Sequence, residues 1–479
     1  MNKSVSIKTN YLFSLAYQIL SIIAPIITTP YISRVLGPEG VGIYSYTSSN
    51  VTYFTMFGVL GLGTYGQLTI AKAKDDKEKR SIIFCNLIFT RIVLHAISLL
   101  VFLGFIFIVT ENKNIYIIQI ITILASMLDV TWFFQGIEEF KDIAIKNIVI
   151  KLGTIAALFT LVRNENDVPV YVFINVISLL LSSIYFIPKV KKYIVYKKPE
   201  KTEIILHLKN GLLYFSPTIA SVIISMLDKT MLGIISNSNT QNGYYAEAYK
   251  IVFIAITVFS SLNLVMRSRM AYISVNGTEK EIITKVKSSL RFVILLACPM
   301  TFGLCGIASV FVPGFLGESF RPSVLLFEIM SWWIIFKATS NCLLEQYILP
   351  IFTIKKYAFV AWIGAIVNFI FNLIFIPRFQ ALGAVIASLI TELVIFVVVM
   401  HICKGIIHYS DVFISGWKYL VSSIIMFISL LMIKQMVSDN IVGIAILLLS
   451  GVLVYGLMTL ALKDELLLSI ITAILKKSR

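Results

Sequence analysis

The stretch IIFCNLIFTRIVLHAISLLVFLGFIFIV, residues 82–109, runs for 28 residues with one arginine, one histidine and no acid. A helix of about 20 apolar residues crosses the roughly 30 Å hydrocarbon core of a bilayer. The run is therefore long enough to span a membrane and too apolar to rest in water. Its composition is that of the whole chain. Of 479 residues, 58% are hydrophobic and 14% charged, which excludes a soluble enzyme, a disordered protein and a disulfide scaffold. Similar segments lie near 10–33, 41–67, 115–136, 143–162 and 169–188, again near 210–236, 243–266, 286–311, 323–348, 357–376 and 381–403, and finally near 416–435 and 440–462. With 82–109 they make fourteen.

The net charge of +16 is distributed by side. With the N-terminus inside, 28 of the 41 Lys and Arg fall in inner segments, six in outer loops and seven within spans. The positive-inside rule then places both termini in the cytoplasm, and the charge is topology rather than a nucleic-acid footprint. The inner segments 137–146 and 189–209 count among these loops. The second begins KVKKYIVYKK at Lys189 and reads as an interfacial linker over anionic headgroups. The N-terminal run is too long, and too interrupted by Pro25 and Pro30, for a cleaved signal, so it is a retained span. No GxxxxGK[ST] or HExxH motif occurs. The five cysteines form no CxxC pair and read as buried thiols; no metal or cofactor is expected.

A shift of about 200 residues superimposes the first two spans on the seventh and eighth. Asn10 meets Asn210, and the stripe Ser14, Gln18, Ser21, Pro25, Thr28 meets Tyr214, Thr218, Ser221, Ser225, Asp228. Arg91 meets Arg291. Six spans separate the copies, so the halves are parallel. The expected architecture is an all-α integral membrane protein: fourteen transmembrane helices in two parallel six-helix bundles around a central cavity, plus two extra C-terminal helices. The lobes are residues 1–188 and 210–403, the basic linker is 189–209, and the extra pair with its tail is 404–479. Pro25, Pro30, Pro217 and Pro299 are the expected kinks.

Ionisable groups inside a bilayer cost about 2.5–3.5 kcal/mol on insertion scales and call for a reason. Arg91 and Arg291 can snorkel to headgroups or serve function. Lys151 and Lys337 lie mid-span, beyond easy reach of an interface. Lys337, Asn341 and Glu345 share one helix face, with the ends about 12 Å apart, and line a cavity or form a structural network. Asp228 and Lys229, with Glu247 and Lys250, form a second cluster, in which Glu247 and Lys250 can neutralise one another. Asp129 and Glu392 are acids suited to ion coupling or to pairing with the lysines. His95 reads as a buried or partnered helix residue, and His207 as lying near the inner face.

Two stretches carry a resemblance. RVLGPEGVGIYSY from Arg34 resembles the first-to-second span junction of bacterial polysaccharide exporters, and WFFQGIEEFKDIAIKN from Trp132 resembles the end of their fourth span. The chain resembles Wzx-type flippases throughout, within the superfamily that holds multidrug extruders and peptidoglycan-precursor flippases. That resemblance implies a polyprenyl-diphosphate-linked oligosaccharide as cargo, moved to the outer leaflet for capsule or other surface polysaccharide. It implies alternating access driven by Na⁺ or protons in a bacterial cytoplasmic membrane; the sequence leaves the oligomeric state open, with a monomer expected, and polysaccharide-assembly proteins are candidate partners. Diphosphate contacts are then expected among Arg34, Arg91, Lys151, Lys229, Lys250, Arg269, Arg291 and Lys337, with Asn341 in the cavity. Ion coupling is expected among Asp129, Asp228, Glu247, Glu345 and Glu392. Gly37, Pro38 and Gly40 read as a turn, and Gly58, Gly61, Gly63 and Gly66 as close helix packing. The rivals are a cation-coupled small-molecule extruder, a peptidoglycan-precursor flippase and, in another class, a membrane polysaccharide polymerase or ligase. An extruder of organic cations needs an acidic, aromatic cavity, and the surplus of intramembrane Lys and Arg argues against it; a polymerase needs a long outer loop, and every outer loop here is short.

Overall fold

With no water in hydrocarbon to satisfy backbone groups, an apolar chain of this length has helices as its economical solution. The computed structural model describes residues 7–352, 354–469 and 472, apart from the side chains of 7–12, 14, 15, 217, 218, 268, 275, 354, 409, 413 and 415. The side chains of Asn10, Ser14, Pro217 and Thr218 and the extreme termini, which entered the repeat and the charge count, lie outside that description. Among the described residues every regular element is helical.

In chain order these are α1 (Ile7–Val59), α2 (Leu62–Lys72), α3 (Lys77–Ile108), α4 (Lys113–Leu128), α5 (Thr131–Gly136), α6 (Phe140–Leu161), α7 (Val168–Ile184), α8 (Ile187–Tyr193) and α9 (Lys201–Ser236). They continue as α10 (Asn239–Asn276), α11 (Glu279–Leu316), α12 (Val324–Ser331), α13 (Trp333–Leu343), α14 (Leu349–Ile351), α15 (Ile354–Phe379), α16 (Ala381–Ile402), α17 (Tyr409–Ile433) and α18 (Ile441–Ala461). Between α13 and α14 lies one turn of π-helix, Leu344–Ile348. The chain divides into two compact units, residues 1–230 and 231–479, with the division inside α9.

Thirteen segments among the described residues are long and apolar enough to cross a membrane, against the fourteen expected. The difference lies at the start. Ala16–Lys72 forms one segment of 57 residues, in which the expected spans 10–33 and 41–67 run together. A straight helix of that length would reach about 85 Å, nearly three bilayer cores. Gly37 interrupts it, with φ 65° and ψ 178°. That backbone is open to glycine, and the extended ψ is what a residue before Pro38 adopts. Of the positions in α1 only Gly37 leaves helical geometry; the helix runs through Pro25 and Pro30.

The first unit is organised by aromatic packing beneath the second quoted motif. Trp132 stacks on Phe84 with centroids 5.7 Å apart, Phe133 meets Phe84 edge-on at 4.9 Å, and Phe134 stacks on Phe186 at 4.0 Å. Helix α2 approaches this cluster through Gly66, where a Cβ would fall 2.6 Å from the Trp132 ring. Gly58 is similarly closed by His95 at 2.6 Å, whereas Gly63 meets only Val59 at 3.9 Å. The close-packing expectation thus describes Gly58 and Gly66 and not Gly63. In the second unit α11 is the central helix, packing on α12, α13, α17 and α18. Its core joins Leu290, Ile294 and Cys298 to Leu343, Val399 and Tyr419.

Candidate functional site

Hydropathy runs unbroken from 115 to 136, yet the helix does not. α4 ends at Leu128 and α5 begins at Thr131, leaving Asp129 and Val130 outside helical geometry. The Asp129 carboxylate accepts from the Thr131 backbone N–H at 3.0 Å and from its hydroxyl at 2.5 Å, restoring one donor freed by the break. Around this break the first unit gathers its buried charge. Arg91, 2% exposed, donates to the Ser126 carbonyl at 3.0 Å and lies 6.0 Å from the Trp132 ring. His95 is bonded to the Arg91 carbonyl at 2.8 Å and the Ser126 hydroxyl at 2.9 Å. Lys146, 3% exposed, donates to the Thr131 hydroxyl at 3.3 Å and sits 4.6 Å from the Phe186 ring.

Two expectations change here. Arg91 does not snorkel: its guanidinium is enclosed by protein and held by the Ser126 carbonyl in the last turn before the helix break. Lys146, counted above with the inner-loop cations, is buried in the bundle because α6 begins at Phe140 and carries it inward. The composition rule could not distinguish a lysine beside a span from one within its first turns.

The remaining positions of the first unit are more dispersed. Arg34 is exposed on α1, three residues before the Gly37 break, and Lys151 is half-buried on α6. Asp228, 1% exposed, and Lys229 precede Thr230, which donates to Asn50 Oδ1 at 3.2 Å and shares a 3.0 Å hydroxyl contact with Ser49. Asn50 in turn donates to the Tyr116 hydroxyl at 2.7 Å, and Gln119 to the Thr47 hydroxyl at 2.9 Å. A buried polar seam thus joins α1, α4 and α9 near Thr230.

In the second unit four cations within or beside the spans each meet a carboxylate. Lys337 meets Glu392 at 2.5 Å, with side-chain exposures of 22% and 2%, and lies 5.1 Å from the Trp333 ring. Lys250 meets the fully buried Glu247 at 2.5 Å. Arg267 meets Glu345 at 2.8 Å, with the Tyr357 hydroxyl donating to the same carboxylate at 3.4 Å. Arg291 donates to Asp464 at 2.7 Å and to the Tyr419 hydroxyl at 3.1 Å. Burial alone would raise Asp464, but the Leu467 N–H, Arg291 and Tyr419 outweigh it and hold the carboxyl below its usual range.

Arg291, read as a snorkelling or functional cation like Arg91, is a tie between α11, α17 and the turn after α18. Arg269 points elsewhere, 4.0 Å from Glu281 and exposed. The Lys337–Asn341–Glu345 stripe is the half-buried face of its helix, between buried Ala338–Ser340 and Cys342–Leu344. Its two ends serve separate ion pairs, and the π-turn carries Glu345 toward Arg267. Sequence reading missed Arg267 and Asp464 as partners and the buried amides Asn368 and Asn372, where Asn372 donates to Asn368 Oδ1 at 3.1 Å. The one available signal was a pair of amides spaced by one turn within an otherwise apolar span. Among the described residues no group of His, Cys, Asp or Glu is arranged to hold a metal ion.

Residues 7–266, more than half of the chain, match the family described as polysaccharide biosynthesis protein. The chain belongs to that family. A candidate O-antigen transporter from Escherichia coli (strain K12) is 26% identical over 81% of this chain and 94% of its own. Among solved structures, the lipid II flippase MurJ in an inward closed conformation covers 94% of this chain and 98% of its own, with a TM-score of 0.72 at 16% identity. An inward-facing multidrug resistance MATE family transporter of the MOP superfamily covers 86% and 95%, with a TM-score of 0.64 at 13% identity. These likenesses give the fold: a multi-pass membrane protein built as MOP-superfamily transporters are. The family's relatives here are transporters, not enzymes.

Proposed function

We propose that the protein flips a polyprenyl-diphosphate-linked oligosaccharide repeat unit from the cytoplasmic to the outer leaflet of a bacterial cytoplasmic membrane, supplying capsule or another surface polysaccharide. Both termini are cytoplasmic in this reading, and alternating access is coupled to a Na⁺ or proton gradient. A diphosphate and its glycan cannot cross hydrocarbon unaided, while the polyprenyl tail prefers to stay there. The transporter must therefore offer fixed cations within a membrane.

The observation that carries the reading is the cationic surplus of the first unit. Arg91 and Lys146 are buried around one carboxylate, Asp129, and neither touches it within 4.0 Å. Two buried cations around one carboxylate leave a net positive charge that attracts an anion, and arginine adds bidentate geometry. A carrier of organic cations requires the opposite balance. Glu247, Glu345 and Glu392 already neutralise cations, so we place ion coupling on Asp129.

The test is reconstitution with defined lipid-linked oligosaccharides, scoring leaflet exchange under imposed Na⁺ or proton gradients. Exchange of a polyprenyl-diphosphate sugar is expected, and Lys151→Glu should abolish it without lowering membrane abundance. Efflux of a small cation, with no exchange of any such lipid, overturns the reading in favour of the extruder.

A further inference from the structure

The motifs above leave one buried titratable group unused. His207, 3% exposed, lies in the first turns of α9, the helix that carries the chain from the first unit into the second. Its docking partner is α2. The two helices meet at glycines: a Cβ on Gly61 would fall 2.4 Å from the Gly211 carbonyl oxygen, and one on Gly211 would fall 2.7 Å from the Leu62 side chain. Gly61 has φ 72°, so the chain turns into α2 against α9 backbone. Phe57 and Phe215 flank this contact with centroids 5.9 Å apart.

One polar network crosses the same contact. The Asn210 amide donates to the Tyr65 hydroxyl at 3.2 Å, and that hydroxyl lies 3.0 Å from His207 Nδ1. Tyr65 already accepts from Asn210, so its one proton is free for Nδ1, which then acts as acceptor. In that arrangement the neutral ring carries its proton on Nε2. Nε2 is buried without a hydrogen-bond partner, and the Glu203 carboxylate stands 3.8 Å away. The groups facing the ring are thus Tyr65 from α2 and Glu203 and Asn210 from α9 itself.

We infer that Tyr65, His207 and Asn210 form a proton-operated latch between α2 and the beginning of α9. Protonation places a second donor at Nδ1 against the Tyr65 hydroxyl proton, so the bond must reverse while a charge is trapped in a buried contact. The nearby carboxylate offsets part of that charge but makes no hydrogen bond. Burial holds the ring below its usual range, with Glu203 opposing. The sign follows: the closed latch binds the proton less well than the open one, whose ring titrates near about 6.5. The latch is therefore held above that pH and loosens as pH falls through and below it. This inference is independent of the cargo.

Hydrogen exchange of the full-length protein in lipid nanodiscs tests it, comparing segment 203–211 at about pH 7.5 and about pH 5 after correction for intrinsic rates. Protection of that segment should fall roughly tenfold or more in acid, while 381–402 keeps its protection. His207→Asn places an acceptor that does not titrate near the Nδ1 position and should hold protection at both pH values. Tyr65→Phe removes the donor and should expose the segment at both. Equal wild-type protection at both pH values, parallel loss in 381–402, acid opening of His207→Asn, or wild-type protection of Tyr65→Phe at neutral pH each overturns the latch.

Discussion

The two units carry buried charge in opposite ways. In the second, Lys250, Lys337, Arg267 and Arg291 each reach a carboxylate within 2.8 Å. In the first, Arg91 and Lys146 are buried on a carbonyl and a hydroxyl, and among the described residues no carboxylate lies within 4.0 Å of Arg91, Lys146 or Lys151. The aligned arginines make the point directly. Arg91 and Arg291 occupy equivalent places in the sequence repeat, yet one holds the carbonyl of a broken helix and the other holds Asp464. Pairing neutralises these charges in the second unit, whereas the first retains positive charge that a bound anion would complete.

The sharpest way to break this comparison is to strand a charge in the paired unit. Glu392→Ala leaves the Lys337 ammonium without its carboxylate and should cost about 3–5 kcal/mol, the usual penalty for breaking a buried pair. Thermal unfolding in detergent should show that loss, and the double variant Lys337→Met/Glu392→Met should recover most of it, since apolar groups of similar volume replace buried pairs well. If the double variant is as unstable as the single one, the pair is not what the second unit depends on.

In the first unit the same operation should read out differently. Arg91→Met or Lys146→Met removes a cation without stranding a carboxylate, so each should cost about 1–3 kcal/mol, below the Glu392→Ala penalty. Leaflet exchange should nevertheless fall by about tenfold or more, as expected for loss of a charge-assisted contact to an anion. Retained exchange in both variants would make the surplus structural. Comparing abundance with exchange across these four variants separates the two roles.

These contrasts show which features were legible. The span pattern survives because it rests on length and apolarity, which every window of residues reports. The Lys337–Asn341–Glu345 face was legible for the same reason: a spacing of four marks one side of one helix. Its partners were not, because Glu392 lies 55 residues from Lys337 on another helix and Arg267 lies 78 residues from Glu345. The break at Asp129 was hidden because hydropathy does not register backbone geometry. Lys146 was misplaced because a cation at the edge of an apolar run looks the same whether it faces water or the Phe186 ring. The motif from Trp132 was recognisable by resemblance, but its use as an aromatic core against Gly66 is a fact of packing.

A smaller effect is expected at the tie that holds the extra helices. Asp464→Asn keeps the shape and removes the charge that Arg291 and Tyr419 address. Arg291 is about one-third exposed, so screening reduces the loss to about 1–2 kcal/mol. Because the Asp464 carboxyl is held below its usual range, the wild-type contribution is complete above about pH 4 and is lost as pH falls through the lowered value. A pH series of unfolding midpoints should therefore converge for wild type and Asp464→Asn only in strong acid. Convergence near neutrality would show that the tie carries no charge.

The smallest expected effect concerns the basic linker, where the sequence expectation of an interfacial strap gains a mechanism. After α8 the chain is sewn to α3 by its own backbone: the Val195 N–H donates to the Ser81 hydroxyl at 3.0 Å and the Glu200 N–H to Asn86 Oδ1 at 2.8 Å, while Arg80 donates to the Tyr193 carbonyl at 2.8 Å. Those bonds spend the strap's inner side and leave Lys191, Lys192, Lys198, Val195 and Tyr196 exposed. Lys189 and Lys197 are already paired, with Asp142 and Glu78. The outward lysines are thus the ones available to headgroups, each contributing about 1 kcal/mol near an anionic surface. Lys191→Gln/Lys192→Gln/Lys198→Gln should lower retention of anionic over zwitterionic lipid in native mass spectra, and high salt should erase the difference, while the unfolding midpoint stays unchanged. Unchanged lipid retention, or a destabilised fold, would assign these lysines to the packing of the first unit and remove its outer surface from the charge comparison.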